Sequence, residues 1–346
     1  MSTATKARTS YNSSHDRDRD VCSISIEKQT LDQITVAARG ITVLGMGEAT
    51  HGQERITRFR VKLFKRLVKT CGYTVFVLED QYTCCEPINK WIHTKGRPTD
   101  RITDLMLNLM WFWRSHELLG LIKWMRKWNA THSRKDQVEF KGIDVQTLCE
   151  TGTKADAVTA FVQRRNRSFN RVDQEDWVKA DGFRDKAMFD VFMQFYDPNR
   201  RYFLFAHNYH VSVQDLVGGG ALGSSVLFQG REIEPGQTVK WLGHLLADRL
   251  GDSYYSIGNI FEHGSYLETI DLIEQNREAG TNTSYAMLPD SDIFISVRGT
   301  VTVGSIDPSI FPTGLTPTPG SASPFHALIK IPTEQPIELF NYDNPY

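Results

Sequence analysis

Glu48 and His51 lie three positions apart in Gly45-Met-Gly-Glu-Ala-Thr-His-Gly52, an acid beside an imidazole in a glycine-rich stretch. Histidine titrates near neutrality and can take a proton from water, while a carboxylate can fix its tautomer and raise its basicity. Arg60 follows about one turn into a predicted helix and could point back toward the loop. More acids and imidazoles recur after apolar runs: Glu79, Asp144, and the pair His207 and His210. The plain alternative for the first pair is a histidine capping a helix, with an acid favoured by the helix dipole.

The elements that would position these groups can be read from hydrophobic period. Ile41 to Leu44 is short, β-branched and bounded by turns, as a buried strand should be. Phe59, Leu63, Phe64 and Leu67 set a helical period over Thr57–Thr70. Thr74 to Leu78 is a second buried strand, ending at Glu79. A helical crossover between two buried strands implies a parallel βαβ unit, and ligands bind at the carboxyl ends of such strands. Phe140 to Ile143 and Arg201 to Ala206 add strands that end at Asp144 and His207.

The remaining expectations are simpler. Helices are predicted over Glu27–Arg39, Glu86–His93, two stretches within Ile102–Asn129, and Thr238–Leu250. Gly223 to Gly236 holds a hairpin, and Tyr254–Ile260, Phe294–Val297 and an edge at Leu328–Ile331 are strands. Met1 to Asp20 is polar and reads as a disordered, dispensable arm, with 300–323 a long loop. Residues 21–346 read as one domain whose polar, helix-prone segment about 151–195 forms a cap. On an extended segment His207 and His210 would face opposite ways unless the strand has already turned.

Lys plus Arg (40) nearly cancels Asp plus Glu (41), which argues against a nucleic-acid or membrane-surface footprint. The first twenty residues lack the apolar core of a secretory signal, and no window suits a transmembrane helix. The five cysteines have no metal-type spacing, and adjacent Cys84 and Cys85 cannot usefully bridge each other. Reduced thiols and a cytoplasmic location are therefore expected. No Gly-x-Ser-x-Gly elbow, Walker loop or complete dinucleotide fingerprint is present.

Gly-Glu-Ala-Thr-His-Gly with Arg60 and the following Phe-Lys-Arg-Leu-Val helix resembles the erythromycin esterase family. The resemblance continues in order through Tyr73-Thr-Val-Phe-Val-Leu-Glu79, Asn89-Lys-Trp-Ile-His93, Trp124-Met-Arg-Lys-Trp-Asn129 and Phe140-Lys-Gly-Ile-Asp144. It runs on through Arg184-Asp185, Ala206-His-Asn-Tyr-His-Val211, Leu242-Gly243 and Leu250-Gly251. It implies an α/β fold: a mostly parallel central sheet flanked by helices, with a helical cap over the strand carboxyl ends. That cap is shortened, since the Asp144 to His207 connection is briefer than in macrolide-inactivating members. Tyr209 is also bulkier than the family's small residue there.

The resemblance supports hydrolysis of an ester or lactone by direct attack of water, with no covalent intermediate and no cofactor. His51 is then the general base, Glu48 or Glu79 orients it, and Arg60 stabilises the oxyanion. His207 polarises the carbonyl or protonates the leaving alkoxide. His210, Asp144, Tyr209, Glu117 and Arg184 are candidate contacts to a small-molecule substrate. Two other classes stay open. One is a metal-dependent hydrolase using His51, Glu48, Glu79, His207 and His210 as ligands. The other is non-hydrolytic cyclisation or isomerisation in the same pocket.

Overall fold

The computed structural model describes residues 28–49, 51–149, 156–173, 176–217, 226–228, 231–233, 238–264, 325–334 and 338–339. The predicted N-terminal arm, the strand at Phe294–Val297 and the loop at 300–323 lie outside the described residues.

In chain order the elements begin with a helical stretch α1 (28–37). Then follow β1 (Val43–Met46), α2 (Glu54–Cys71), β2 (Val75–Gln81), α3 (Tyr82–His93), α4 (Ile102–Met106), α5 (His116–Thr131) and β3 (Glu139–Asp144). Next come α6 (Ala157–Phe169), α7 (Trp177–Phe195), β4 (Tyr202–Phe205), α8 (Asn208–Val211), β5 (Leu216–Val217), β6 (Val226–Phe228) and β7 (Arg231–Ile233). The last are β8 (Thr238–Val239), α9 (Leu242–Leu250), β9 (Tyr254–Gly264) and β10 (Ala327–Glu334). Short 3-10 turns occur at Trp111–Trp113, Arg134–Asp136 and Gly251–Ser253.

Six strands form one sheet in the order β10-β9-β1-β4-β2-β3, and every pair in it is parallel. The expected α/β architecture is therefore present. Alternation along each strand divides the core in two, because successive side chains point to opposite faces. Leu44, Met46, Phe76, Leu78, Phe203 and Phe205 face one side, packed with residues of α1, α2, α3 and α5. Val43, Val75, Val77, Tyr202 and Leu204 face the other, packed with α6, α7 and α9. Burying a Leu or Phe of this kind contributes roughly 1.5–3 kcal/mol each, so both faces are strongly specified.

Helix α2 starts three residues earlier than its apolar period predicts, with Glu54 in the first turn where the helix dipole favours an acid. It stops at Gly72, whose φ of 70° lets its N–H return to the Leu67 carbonyl. The predicted helix from Thr238 is corrected at its start: Thr238 and Val239 pair antiparallel with Val217 and Leu216. The hairpin within Gly223–Gly236 is present as β6 and β7.

The segment expected as a cap lies largely along a sheet face. Phe192 meets Tyr202 at the start of β4, with ring centroids 5.2 Å apart. Arg184 meets Asp144 at the end of β3, with Nη2 2.8 Å from Oδ2. Helix α7 thus runs antiparallel to the strands and delivers Arg184 and Asp185 to their carboxyl ends.

The expectation of reduced thiols is corrected for two cysteines: Cys84 and Cys149 form a disulfide, with Cα atoms 5.2 Å apart. Cys84 turns toward the chain leaving β3, while Cys85 turns inward against β3, so neighbours in sequence have separate surroundings. Cys71 and Cys85 are free and buried. Among the described residues no helix is long and apolar enough to cross a membrane.

Candidate active site

The ends of β1 and β4 are stitched by backbone: Glu48 N–H donates to the Ala206 carbonyl at 3.1 Å, and Asn208 N–H to the Glu48 carbonyl at 2.8 Å. Gly47 permits this closeness, because a Cβ there would lie 2.9 Å from the Cα of Asn208. Asn208 and Asn259 exchange bonds across the junction, Nδ2 to carbonyl at 2.7 Å and N–H to Oδ1 at 3.0 Å. Both asparagines hold the site loops in place, and neither was singled out from the sequence.

On this frame Glu48 Oε1 accepts from His51 Nδ1 at 2.6 Å, and Oε2 accepts from Arg60 Nη1 at 3.0 Å. The His51 side chain is 27 % exposed and that of Glu48 only 1 %. With the proton on Nδ1, the Nε2 lone pair is left available as a base, and among the described residues no hydrogen bond engages it. The imidazole lies flat on Phe112, centroids 3.9 Å apart and planes within 7°, with Trp113 edge-on at 5.7 Å. Neither aromatic was among the residues that the sequence reading assigned to the site.

Arg60 does not reach the cleft. Its side chain is 0 % exposed, and its guanidinium lies over the Phe205 ring, 3.2 Å from the centroid. Its observed place is behind Glu48, which corrects the expected oxyanion role. A helix start three residues early carries position 60 deeper into the layer between α2 and the sheet.

A second network forms at the ends of β2 and β3. Arg184 donates from Nε and Nη2 to Asp144, at 3.2 and 2.8 Å, and from Nη2 to Glu79 Oε1 at 2.9 Å. Asp144 also accepts from the backbone of Val145 at 2.6 Å. His210 pairs with Glu79 through Nε2 at 3.0 Å and with Asp185 through Nδ1 at 3.0 Å. Burial alone would lower the His210 pKa, but Asp185 and Glu79 outweigh it and raise it to about 10. Both ring nitrogens of His210 therefore carry protons, which leaves no lone pair for the contact from Arg184 Nη1 at 3.3 Å. Those nitrogens are occupied, so the expected substrate contact by His210 is corrected to an internal one. Burial raises the Glu79 carboxyl, yet the charge and hydrogen bond of His210, then His51 and Arg184, hold it well below the usual range.

His207 joins the two networks. Its N–H donates to Glu79 Oε2 at 2.7 Å, and its ring stands 5.4 Å from that of His51. Nε2 donates to the Ala49 carbonyl at 3.0 Å, and Nδ1 accepts from Tyr209 N–H as the cap of α8, at 3.3 Å. Burial, reinforced by nearby His51, lowers its pKa to about 3, so it stays neutral. With both nitrogens in use, His207 acts here as a loop anchor rather than as the predicted acid. The chain has turned by His207, which is why His207 and His210 lie on one side. Tyr209 packs between His207 and Trp241, at 4.5 and 5.6 Å between centroids. Glu117 joins neither network and lies 3.8 Å from Arg58.

Asp185 is fully buried and also accepts from Leu242 N–H at 2.7 Å, tying α7, α8 and α9 together. The adjacent Arg184-Asp185 pair was visible in sequence, but nothing there announced that Asp185 would partner His210. Among the described residues no three His, Cys, Asp or Glu side chains converge as metal donors.

A profile of the erythromycin esterase family matches residues 68–175 and 165–285. In sequence, no curated protein matches this chain. Three solved structures are similar over most of their length. A Bacillus cereus protein has 17% identity and a TM-score of 0.61, covering 90% of this chain and 93% of its own. A succinoglycan biosynthesis protein has 15% identity and a TM-score of 0.57, covering 89% and 92%. A histidine-to-asparagine mutant of the erythromycin esterase EreC, in its open conformation, has 13% identity and a TM-score of 0.51, covering 90% and 95%. At these identities the likeness shows the shared fold. With the family profile spanning more than half of its length, the chain belongs to the erythromycin esterase family.

Proposed function

We propose that this protein hydrolyses an ester or lactone bond in a small-molecule metabolite, using water activated by His51. The observation that carries this reading is the 2.6 Å bond from His51 Nδ1 to sealed Glu48, in a His51 side chain that is itself 27 % exposed. Membership of the erythromycin esterase family supports the hydrolase class.

In the reaction, His51 Nε2 takes a proton from water as the oxygen adds to the carbonyl carbon. The carbon–oxygen bond to the leaving group then breaks, and the imidazolium returns its proton to the departing alkoxide. An acid and an alcohol result, and no side chain is acylated. Glu48 fixes the tautomer and balances the imidazolium, with Arg60 holding Glu48. The cation nearest solvent in the second network is Arg184, 12 % exposed against 0 % for Arg60, so it is the one assigned to the substrate oxygen. A positioned base is worth ~10²–10⁴-fold.

The substrate is inferred to be unlike a decorated macrolide, because among the described residues α6 and α7, expected as the cap, pack largely on a sheet face. A panel of esters and lactones that includes erythromycin, run with wild type and His51→Ala, tests this. The expected result is turnover of a smaller ester or lactone, weak action on erythromycin, and a loss of at least ~100-fold in His51→Ala. A folded His51→Ala variant with near-wild-type turnover would sink the mechanism. Failure on every ester would favour cyclisation or isomerisation.

A further inference from the structure

Asp80 is a buried carboxylate that the mechanism above does not use. It follows Glu79 in β2, where the pairing with β3 slips by one residue between Leu78 and Gln81. Such a bulge re-aims side chains at a strand end. Glu79 turns to Arg184 and His210, whereas Asp80 turns the other way, toward the loop after α4. Its Oδ1 accepts from Gln81 N–H at 2.6 Å and its Oδ2 from Met110 N–H at 2.8 Å.

Met110 opens the 3-10 turn Trp111–Trp113. A second tie holds the same turn to β2, since Trp113 Nε1 donates to the Glu79 carbonyl at 2.9 Å. Between the two ties sits Phe112, whose ring is the platform under His51. We propose that Asp80 is a positioning residue, which anchors the Trp111–Trp113 turn so that Phe112 holds the His51 imidazole in place. The proposal rests on His51 being the base, as inferred above.

Each Asp80 oxygen accepts from one N–H and keeps a further lone pair, so the two anchoring bonds do not depend on the acid being ionised. Burial pushes the Asp80 pKa up to about 8, against the two N–H donors and helped by Asp144 and Glu79. A neutral asparagine can keep the Met110 bond but turns its amide toward the Gln81 N–H.

Two measurements test this, one of them independent of any substrate. In NMR spectra of histidine-labelled protein, His51 is assigned by comparison with His51→Ala. Stacking on Phe112 shifts its ring protons upfield. Asp80→Ala and Met110→Pro should both move those signals downfield, and Asp80→Asn should restore part of the shift. Met110→Pro removes the same N–H from the other side, and the Met110 φ of −55° suits a proline ring. It therefore serves as a second probe if Asp80→Ala fails to fold. Unchanged His51 signals in a folded Asp80→Ala or Met110→Pro variant would overturn the proposal.

The second measurement is kinetic. Asp80→Ala should lower kcat by roughly 10- to 100-fold, the scale of a small misplacement of a catalytic group, with little change in KM. Phe112→Leu should then add little to Asp80→Ala, because the two act in series. Fully multiplicative losses would overturn the link through Phe112. The reading of His51 as base fails separately, if His51→Ala keeps its turnover while the NMR arms behave as expected.

Discussion

Arg60 and Glu48 form a fully buried ion pair, Nη1 to Oε2 at 3.0 Å, on the far side of Glu48 from His51. The arginine thus serves the acid, and the acid serves the base. Replacing Arg60 with Met should leave a buried carboxylate without its counter-charge. Loss of one partner from a buried pair typically costs ~3–5 kcal/mol. Urea denaturation of Arg60→Met should show a loss of that order. A change under about 1 kcal/mol would mean that Glu48 finds other support. Glu48→Gln should also cost stability, because it takes the counter-charge from buried Arg60, and it should lower kcat, since the amide can accept from Nδ1 but cannot balance an imidazolium.

His210 gives a pH dependence whose sign follows from its raised pKa, about 10 against the ordinary 6.5 of histidine. A folded-state pKa above the unfolded one means that the native state holds the proton more tightly. The stability so gained is fully present below about pH 6.5 and is lost as pH rises toward 10. The fall in unfolding free energy between those limits should be smaller in His210→Gln than in wild type. Denaturation at three or four pH values across the window measures it. Parallel curves for the two proteins would show that Asp185 and Glu79 do not hold the imidazolium.

The acid–imidazole pair was legible because Glu48 and His51 stand three apart on a glycine-rich loop between a β-branched strand and an amphipathic helix. The convergence of Glu79, Asp144 and His207 followed from parallel strands, whose carboxyl ends share one edge. What escaped was direction. Nine residues separate His51 from Arg60, and a shift of three in the helix start decides whether that arginine meets cleft or core. Asp80 drew no notice because a bulge cannot be read from an apolar run. The Cys84–Cys149 bond joins residues 65 apart, and pairing over such a distance is not deducible from cysteine spacing.

That disulfide fastens the chain leaving β3 to α3, where Cys149 N–H also donates to Thr83 Oγ1 at 2.9 Å. Closing a loop of this length restricts the unfolded chain and typically stabilises by ~2–4 kcal/mol. A reductant should lower the denaturation midpoint of the wild type. Cys149→Ser should start from that lower midpoint and ignore the reductant. Equal midpoints for wild type with and without reductant would show that the bond adds no stability.

Gly47 offers a test of how closely the two catalytic strands must approach. Its neighbours leave no room for a methyl group: an added Cβ would meet the Asn208 side chain and sit 3.0 Å from Val211 Cγ2. Asn208 is also the residue whose N–H reaches the Glu48 carbonyl, so the clash falls on the stitch between β1 and α8. Gly47→Ala should push α8 outward, loosening His207 from Ala49 and Glu79 together. Overpacking of this kind costs ~1–3 kcal/mol, and the displaced loop should lower kcat further than that loss of stability alone would. Gly72→Ala is the matched control, because it sits in open space where the only penalty is its φ of 70°. Both variants should be destabilised, but only Gly47→Ala should lose turnover at temperatures where it is fully folded. Equal turnover in the two folded variants would mean that the spacing between β1 and α8 does not set the geometry of the His51 loop.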